Sequence, residues 1–312
     1  MAGSESSKVS IYAAMAANVA IAIAKFVGAG ISGSSAMLSE GIHSVVDSVN
    51  EVLLLYGLKQ SEAGPDEKFP LGRSQELYFW SLMVAVLIFA LGGGISVYEG
   101  IQQLRSPTEG SESALVSYCV LGAAAVFEGV ALTISIREFR KAQPEASKNL
   151  WQAIRESKDP SSFIVIVEDA AALLGLFVAF GGVYLSELRG NGIYDAIASI
   201  LIGVLLTLVA TLLVIETKGL LIGESASPDV RASISDLVQS DTAVTAMETP
   251  ITLHLGPRDI MLALNIEFKD GLSADEIEAA VRRLESCIRD RHGEVKRIFI
   301  EAAAVKFSTP SQ

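Results

Sequence analysis

His43 is followed four residues later by Asp47, inside the apolar run from Ser35 to Leu58. Residues at i and i+4 lie one turn apart on the same helix face, so an imidazole and a carboxylate at this spacing can close on one cation. In a helix that crosses a bilayer both groups are costly, and ionisable residues in such places commonly mark an ion or proton path. The pair therefore points to metal transport. The plain alternative is a buried pair without metal, His43 simply donating a hydrogen bond to Asp47.

Six apolar segments are long enough to span a membrane, since about twenty apolar residues cross the hydrocarbon core. They fall near Ser10–Ile31, Ser35–Leu58, Leu77–Leu104, Ala114–Ile136, Pro160–Leu185 and Gly192–Thr217. A tight Gly-Ser turn around Ser32–Ser34 joins the first two as an antiparallel hairpin. In the third, Gly92, Gly93 and Gly94 permit a bend or close helix contact. Composition agrees: half of the 312 residues are hydrophobic and 19% are charged, whereas soluble domains carry about a quarter charged residues. Mean hydropathy is +0.43.

Other classes are disfavoured. A formal charge of −12 leaves nothing to track a phosphate backbone, which argues against nucleic acid. Cys119 and Cys287 are far apart and form neither a disulfide framework nor a thiolate metal site. No nucleophile–base pair, phosphate loop or cofactor box is evident, so neither an enzyme nor a bound cofactor is expected. Met1–Lys8 is short and polar, and no cleavable signal is expected.

Lysine and arginine in short loops set orientation. With the N-terminus inside, the inner segments hold Lys8, Lys59, Lys68, Arg73, Arg137, Arg140, Lys141, Lys148, Arg155, Lys158 and Lys218, against Arg105 and Arg189 outside. Both termini are thus expected in the cytoplasm, in a multi-pass protein of the cell inner membrane. Residues 1–222 form the spanning domain. From about Gly223, with Pro228 at the hinge, the composition changes to a small α+β domain over residues 223–307. Its elements are a helix at Asp229–Val238, strands at Val244–Leu255 and Ile260–Phe268, a helix from the Ser273 cap to about Arg291, and a strand at Val295–Ala303. Glu276 completes a capping box with Ser273. Residues 308–312 read as a disordered tail.

The run Gly33-Ser34-Ser35-Ala36-Met37-Leu38-Ser39-Glu40-Gly41-Ile42-His43-Ser44-Val45-Val46-Asp47-Ser48-Val49-Asn50, with Pro70-Leu71-Gly72-Arg73, Glu76 and Tyr194-Asp195-Ala196, resembles the cation diffusion facilitator family over nearly the whole chain. The resemblance implies six spanning helices, an αββαβ cytoplasmic domain, a homodimer through that domain, and export of divalent transition metals, typically zinc, against inward protons. It also implies a metal site shared between the second and fifth helices. The fifth reads Phe163-Ile164-Val165-Ile166-Val167-Glu168-Asp169-Ala170, and the distance to Gly175 places Asp169 on the family's carboxylate position. Val165 falls where the first ligand of that helix usually stands, and valine cannot bind metal. Glu168 either substitutes for it, a π-bulge bringing it round, or faces a neighbouring helix, because consecutive residues diverge by about 100°.

The implied ligand set is His43, Asp47 and Asp169, completed by Glu168 or water. One imidazole among carboxylates still suits zinc but lowers the bias against manganese, iron and cobalt; cadmium is a further candidate substrate. Glu128 is either a proton relay or an interhelical hydrogen-bonding group. Asn18 and Lys25 share one stripe of the first helix, with Glu40 or Glu99 as partners for Lys25. Asn50 can orient Asp47 or lend an oxygen, and Glu51 can line the entrance. His254, His292 and Glu301 are too dispersed for a second site. Two readings follow: a proton-coupled exporter, or a non-transporting family member acting as a membrane partner or regulator.

Overall fold

The computed structural model describes residues 18–106, 114–142 and 150–304. The expected start of the first span (Ser10–Ala17), Met1–Lys8, Lys148 and the 308–312 tail lie outside them. The helices of the apolar part are α1 (Asn18–Ser32), α2 (Ser35–Ser61), α3 (Glu76–Arg105), α4 (Ala114–Ala142), a short α5 (Leu150–Glu156), α6 (Pro160–Arg189) and α7 (Ile193–Ile222). The described residues form two compact units, one from residues up to 60 and from 76 to 218, the other from 61–75 and from 219 onwards.

Among the described residues four helices, α3, α4, α6 and α7, are long and apolar enough to cross a membrane. The other two of the six expected spans are not shown to be of this kind. The described part of α1 is short, and α2 carries Glu40, His43, Asp47, Asn50 and Glu51 along its length. Those polar groups lower the hydropathy of α2 without making it a surface helix. Glu40, His43 and Asn50 are buried, while Val45, Val49, Val52 and Tyr56 are exposed. The helix thus turns its polar stripe inward and its apolar stripe outward, the reverse of a water-soluble amphipathic helix and suited to lipid.

The N-terminus of α2 is held by another helix. Gly33 takes a left-handed φ of +66° in the turn from α1, where a side chain would be strained. The Asp195 carboxylate, in the first turn of α7, then accepts from Ser34 Oγ at 2.7 Å, Ser35 N at 2.6 Å and Ala36 N at 3.3 Å. Backbone N–H groups at a helix start have no partner within the helix, and a carboxylate there also meets the positive end of the helix dipole. Asp195 is a cap supplied in trans. One turn on, Ser39 Oγ meets Ser199 Oγ of α7 at 2.6 Å.

In α3 the expected glycine-permitted irregularity is a π-helical turn, Ile88–Gly93. From the end of that turn α3 meets α7 closely: a Cβ on Gly93 would lie 3.2 Å from the Gly203 carbonyl oxygen, and one on Gly203 2.8 Å from the Gly93 carbonyl oxygen. Small residues at such crossings let helices approach.

In the second unit, α8 (Pro228–Gln239) and α9 (Ala274–Arg291) cover a sheet of β1 (Val244–Met247), β2 (Ile251–Gly256), β3 (Asp259–Phe268) and β4 (Val295–Ala302). Strand β3 pairs antiparallel with β1 and β2 along one edge and parallel with β4 along the other. Ile234, Val238, Ile260, Leu262, Leu264, Ile266, Leu284 and Ile288 fill the core. The single expected strand Val244–Leu255 is in fact two, broken at 248–250, because Pro250 has no N–H to give the ladder. The capping box is present, with Ser273 N donating to Glu276 Oε2 at 2.8 Å.

Residues 61–75, the connector from α2 to α3, cluster with this second unit. Arg73 donates to Asp66 Oδ2 at 2.6 Å and lies 4.4 Å from the Phe69 ring centroid. The Arg73 hydrogen bond, helped by Phe69 N, holds the Asp66 carboxyl below its ordinary range. Arg297 of β4 bonds both Asp259 and the Leu71 carbonyl, and Ser74 Oγ donates to Asp259 at 2.7 Å.

If Asp195 sets the start of α2, Asp195→Ala should lower the melting temperature in detergent. The loss should be on the order of 2 kcal/mol, the range for hydrogen bonds to a charged group, with Asp195→Asn retaining part of it. An unchanged melting temperature for Asp195→Ala would remove the cap from the account.

Candidate metal site between α2 and α6

One turn of α2 brings His43 Nδ1 to 3.2 Å from Asp47 Oδ1. The contact does not reach hydrogen-bond geometry. Both ring nitrogens of His43, and Asp47 Oδ1, are buried without a hydrogen-bond partner among the described residues. Buried polar atoms are nearly always paired, and imidazole nitrogens so left are free to take a cation. The simple His43–Asp47 hydrogen bond that the sequence also allows is therefore not formed here.

Asp47 opens onto a cavity of about 310 Å³ between four helices. From α2 it is lined by Ser44, Asp47 and Glu51, and from α6 by Val165, Glu168 and Asp169. Asn18 of α1 joins them, with Glu128 and Ser135 of α4. Glu168 reaches the cavity beside Asp169, with no π-bulge needed, and is tied to α2 by Asn50 Nδ2, which donates to its Oε1 at 2.6 Å. Asp169 accepts from Ser135 Oγ at 2.8 Å, and Glu51 from Asn18 Nδ2 at 2.8 Å.

The structure thus brings His43 to Asp47, and Asp47, Glu168 and Asp169 to one cavity. It does not converge them on a point: among the described residues no three His, Cys, Asp or Glu side chains are close enough to hold one ion. Each fifth-segment carboxylate is instead engaged by a neutral side chain, which can release it at little electrostatic cost. The donor set, one imidazole nitrogen and carboxylate oxygens, fits a borderline or hard divalent cation and has no thiolate.

Other expectations resolve locally. Lys25 pairs with Glu40, its ammonium 3.2 Å from Oε2, and not with Glu99. Asn50 serves Glu168, not Asp47. In the second unit, His254 Nδ1 lies 3.2 Å from the Gly256 carbonyl and His292 Nε2 2.9 Å from Ser233 Oγ. Glu301 stands opposite Asn265 in the β3–β4 ladder. Sequence reading missed Ser135 and Ser44. A signal existed for the first, because Ser135 lies seven residues after Glu128 and so on the same helical face.

The chain has clear relatives. A family model described as the cation efflux transmembrane domain matches residues 11–222. The proton-coupled zinc antiporter SLC30A9, mitochondrial, of Xenopus laevis is 37% identical over 237 residues, 76% of this chain and 42% of that protein. Metal tolerance protein C4 of Arabidopsis thaliana is 34% identical over 76% of this chain and 52% of that protein. Magnetosome protein MamB of Magnetospira sp. (strain QH-2) is 24% identical over 87% of this chain and 89% of its own length. The chain spans only about half, or less, of the animal and plant relatives it matches. With a transmembrane match over most of its length and four strongly apolar helices, the chain belongs to the cation diffusion facilitator family, as an integral, multi-pass membrane protein.

Proposed function

We propose that this protein is a secondary transporter, not an enzyme, that exports a divalent transition-metal cation from the cytoplasm in exchange for protons. Zinc comes first, with manganese, iron, cobalt and cadmium as further substrates, and no cofactor takes part. The observation that carries the reading is the His43–Asp47 pair, its buried nitrogens unpartnered, at the edge of a cavity that also bears Glu168 and Asp169. The printed names of relatives, a proton-coupled zinc antiporter and a metal tolerance protein, support the same substrate class.

In this reading His43, Asp47, Asp169 and Glu168 are the ligands. Asp47 waits on the cavity, His43 sits one turn behind it, and the α6 carboxylates leave Asn50 and Ser135 as the ion arrives. Protons and metal compete for the same atoms, since imidazole titrates near neutral pH and a fixed number of charges at depth favours swapping one divalent cation for protons. Residues 1–222, with six spans, form the transport domain, and residues 223–307 a dimerisation domain. Both termini face the cytoplasm, and the protein sits in an inner membrane. The positive-inside distribution supports this orientation, while the animal relatives carry "mitochondrial" in their names.

Zinc flux coupled to pH change in proteoliposomes tests the reading. Asp47→Ala should abolish it, because an anionic ligand is lost, and His43→Ala should abolish zinc flux while sparing some manganese flux. Wild-type zinc rates in Asp47→Ala would refute the site; no coupled flux in the wild type would favour a non-transporting regulator.

Titration of metal into purified variants tests the α6 ligands. Asp169→Asn and Glu168→Gln should each weaken binding at least about tenfold, the loss seen even for outer partners of metal ligands. Unchanged affinity in Glu168→Gln would assign Glu168 to the Asn50 contact alone. The dimer, lacking clustered histidines, should survive chelator in size-exclusion with light scattering; a monomer there would count against it.

A further inference from the structure

Lys25 is completely enclosed, yet it carries an ammonium group. Its Nζ lies 3.2 Å from Glu40 Oε2 and 2.7 Å from Ser44 Oγ, both on α2. Burying an ion pair at this depth gains little stability over an apolar replacement, and the best-attested reason to keep one is a registry or switching role. Glu40 is equally enclosed. Its Oε1 has no hydrogen-bond partner among the described residues and lies 2.3 Å from where a Cβ on Gly175 would stand. The carboxylate therefore rests on bare α6 backbone, and α1, α2 and α6 are locked together at this level.

The level matters. The cavity touches α1 at Asn18 and Ile21 and α2 at Ser44, Asp47 and Glu51, on the Ser61 side of Glu40 along α2. Lys25 lies one turn beyond Ile21 along α1, and Glu40 one turn before Ser44 along α2. Neither lines the cavity, which ends where their ion pair begins. From Asp47 to Glu40 is about 10 Å along the helix axis at 1.5 Å per residue. Beyond the pair, towards Ser35, lie the Ser39–Ser199 contact and the Asp195 cap. A cation at His43–Asp47 thus has the cavity on one side and the ion pair on the other.

We propose that Lys25 and Glu40, with Ser44 and the backbone at Gly175, form the gate that closes the far side of the transport pathway and that the arriving cation itself loosens. This rests on the transporter reading. A divalent ion beside Ser44 repels the Lys25 ammonium and attracts the Glu40 carboxylate, and both effects weaken the pair where the dielectric is low. With the site empty the pair is intact and the far side stays sealed, so the protein does not leak. Lys25 is a positioning residue in this scheme: it acts on the pathway and not on the metal.

The test is sided labelling in proteoliposomes. In a chain with Cys119→Ser, Cys287→Ser and Ala131→Cys, the new thiol lines the cavity wall on α4. A charged, membrane-impermeant methanethiosulfonate is applied to one face at a time without metal. The gated chain should label from the face at the Ser61 end of α2 only. Lys25→Met with Glu40→Gln, which removes both charges together, should raise labelling from the opposite face at least tenfold. Lys25→Glu with Glu40→Lys should restore one-sided labelling, and zinc should raise opposite-face labelling in the gated chain. One-sided labelling that persists in the Lys25→Met, Glu40→Gln chain overturns the gate. If that chain does not fold, Glu40→Gln alone is read in the same way. Zinc flux in the wild type is measured separately, so absent flux defeats the transporter reading while the metal-free labelling still decides whether the pair seals.

Discussion

The Asp195 carboxylate, which accepts from four N–H and hydroxyl donors at the start of α2, fixes where that helix begins, and the polar groups of α2 count their turns from there. Ser39 meets Ser199 of α7, Glu40 and Ser44 meet Lys25 of α1, Asn50 meets Glu168 of α6, and Glu51 meets Asn18 of α1. A shift of α2 by one residue rotates every one of these groups by about 100°. Polar side chains facing lipid find no compensating water, so the helix has one low-energy register. His43 and Asp47 are placed by that register and need no special device of their own.

The same economy explains why the site is loosely held. A buried charge left without a partner is costly, so before metal arrives the two α6 carboxylates take substitutes. Asn50 and Ser135 supply neutral donors to Glu168 and Asp169, and these can be given up for a cation without breaking an ion pair. Lys25 is a different case. It is held by charge, by Glu40, and only another charge can displace it readily.

Local chemistry was legible in the sequence and interhelical choice was not. The i, i+4 spacing of His43 and Asp47, the Ser273–Glu276 capping box and the glycine-permitted irregularity at Gly92–Gly94 follow from contacts within a turn or two. Lys25 could be narrowed to Glu40 or Glu99, because depth along a helix can be counted, but rotation had to decide between them. Glu168 could not be assigned at all, since its direction depends on how α6 is turned towards α2. The break at Pro250 was written in the chain, and alternation on either side concealed it. The connector 61–75 clusters with the second unit through Arg297 and Ser74, long-range partners that no local pattern announces.

The central claim is that one imidazole and a set of carboxylates bind the transported ion. X-ray absorption at the zinc edge of the zinc-loaded protein reports those ligands directly. The account predicts a first shell of nitrogen and oxygen at about 2.0–2.2 Å, with the outer-shell scattering of a single imidazole, from His43, and loss of that scattering in His43→Ala. A sulfur shell near 2.3 Å, two or more imidazoles, or an imidazole signal that survives His43→Ala would contradict it.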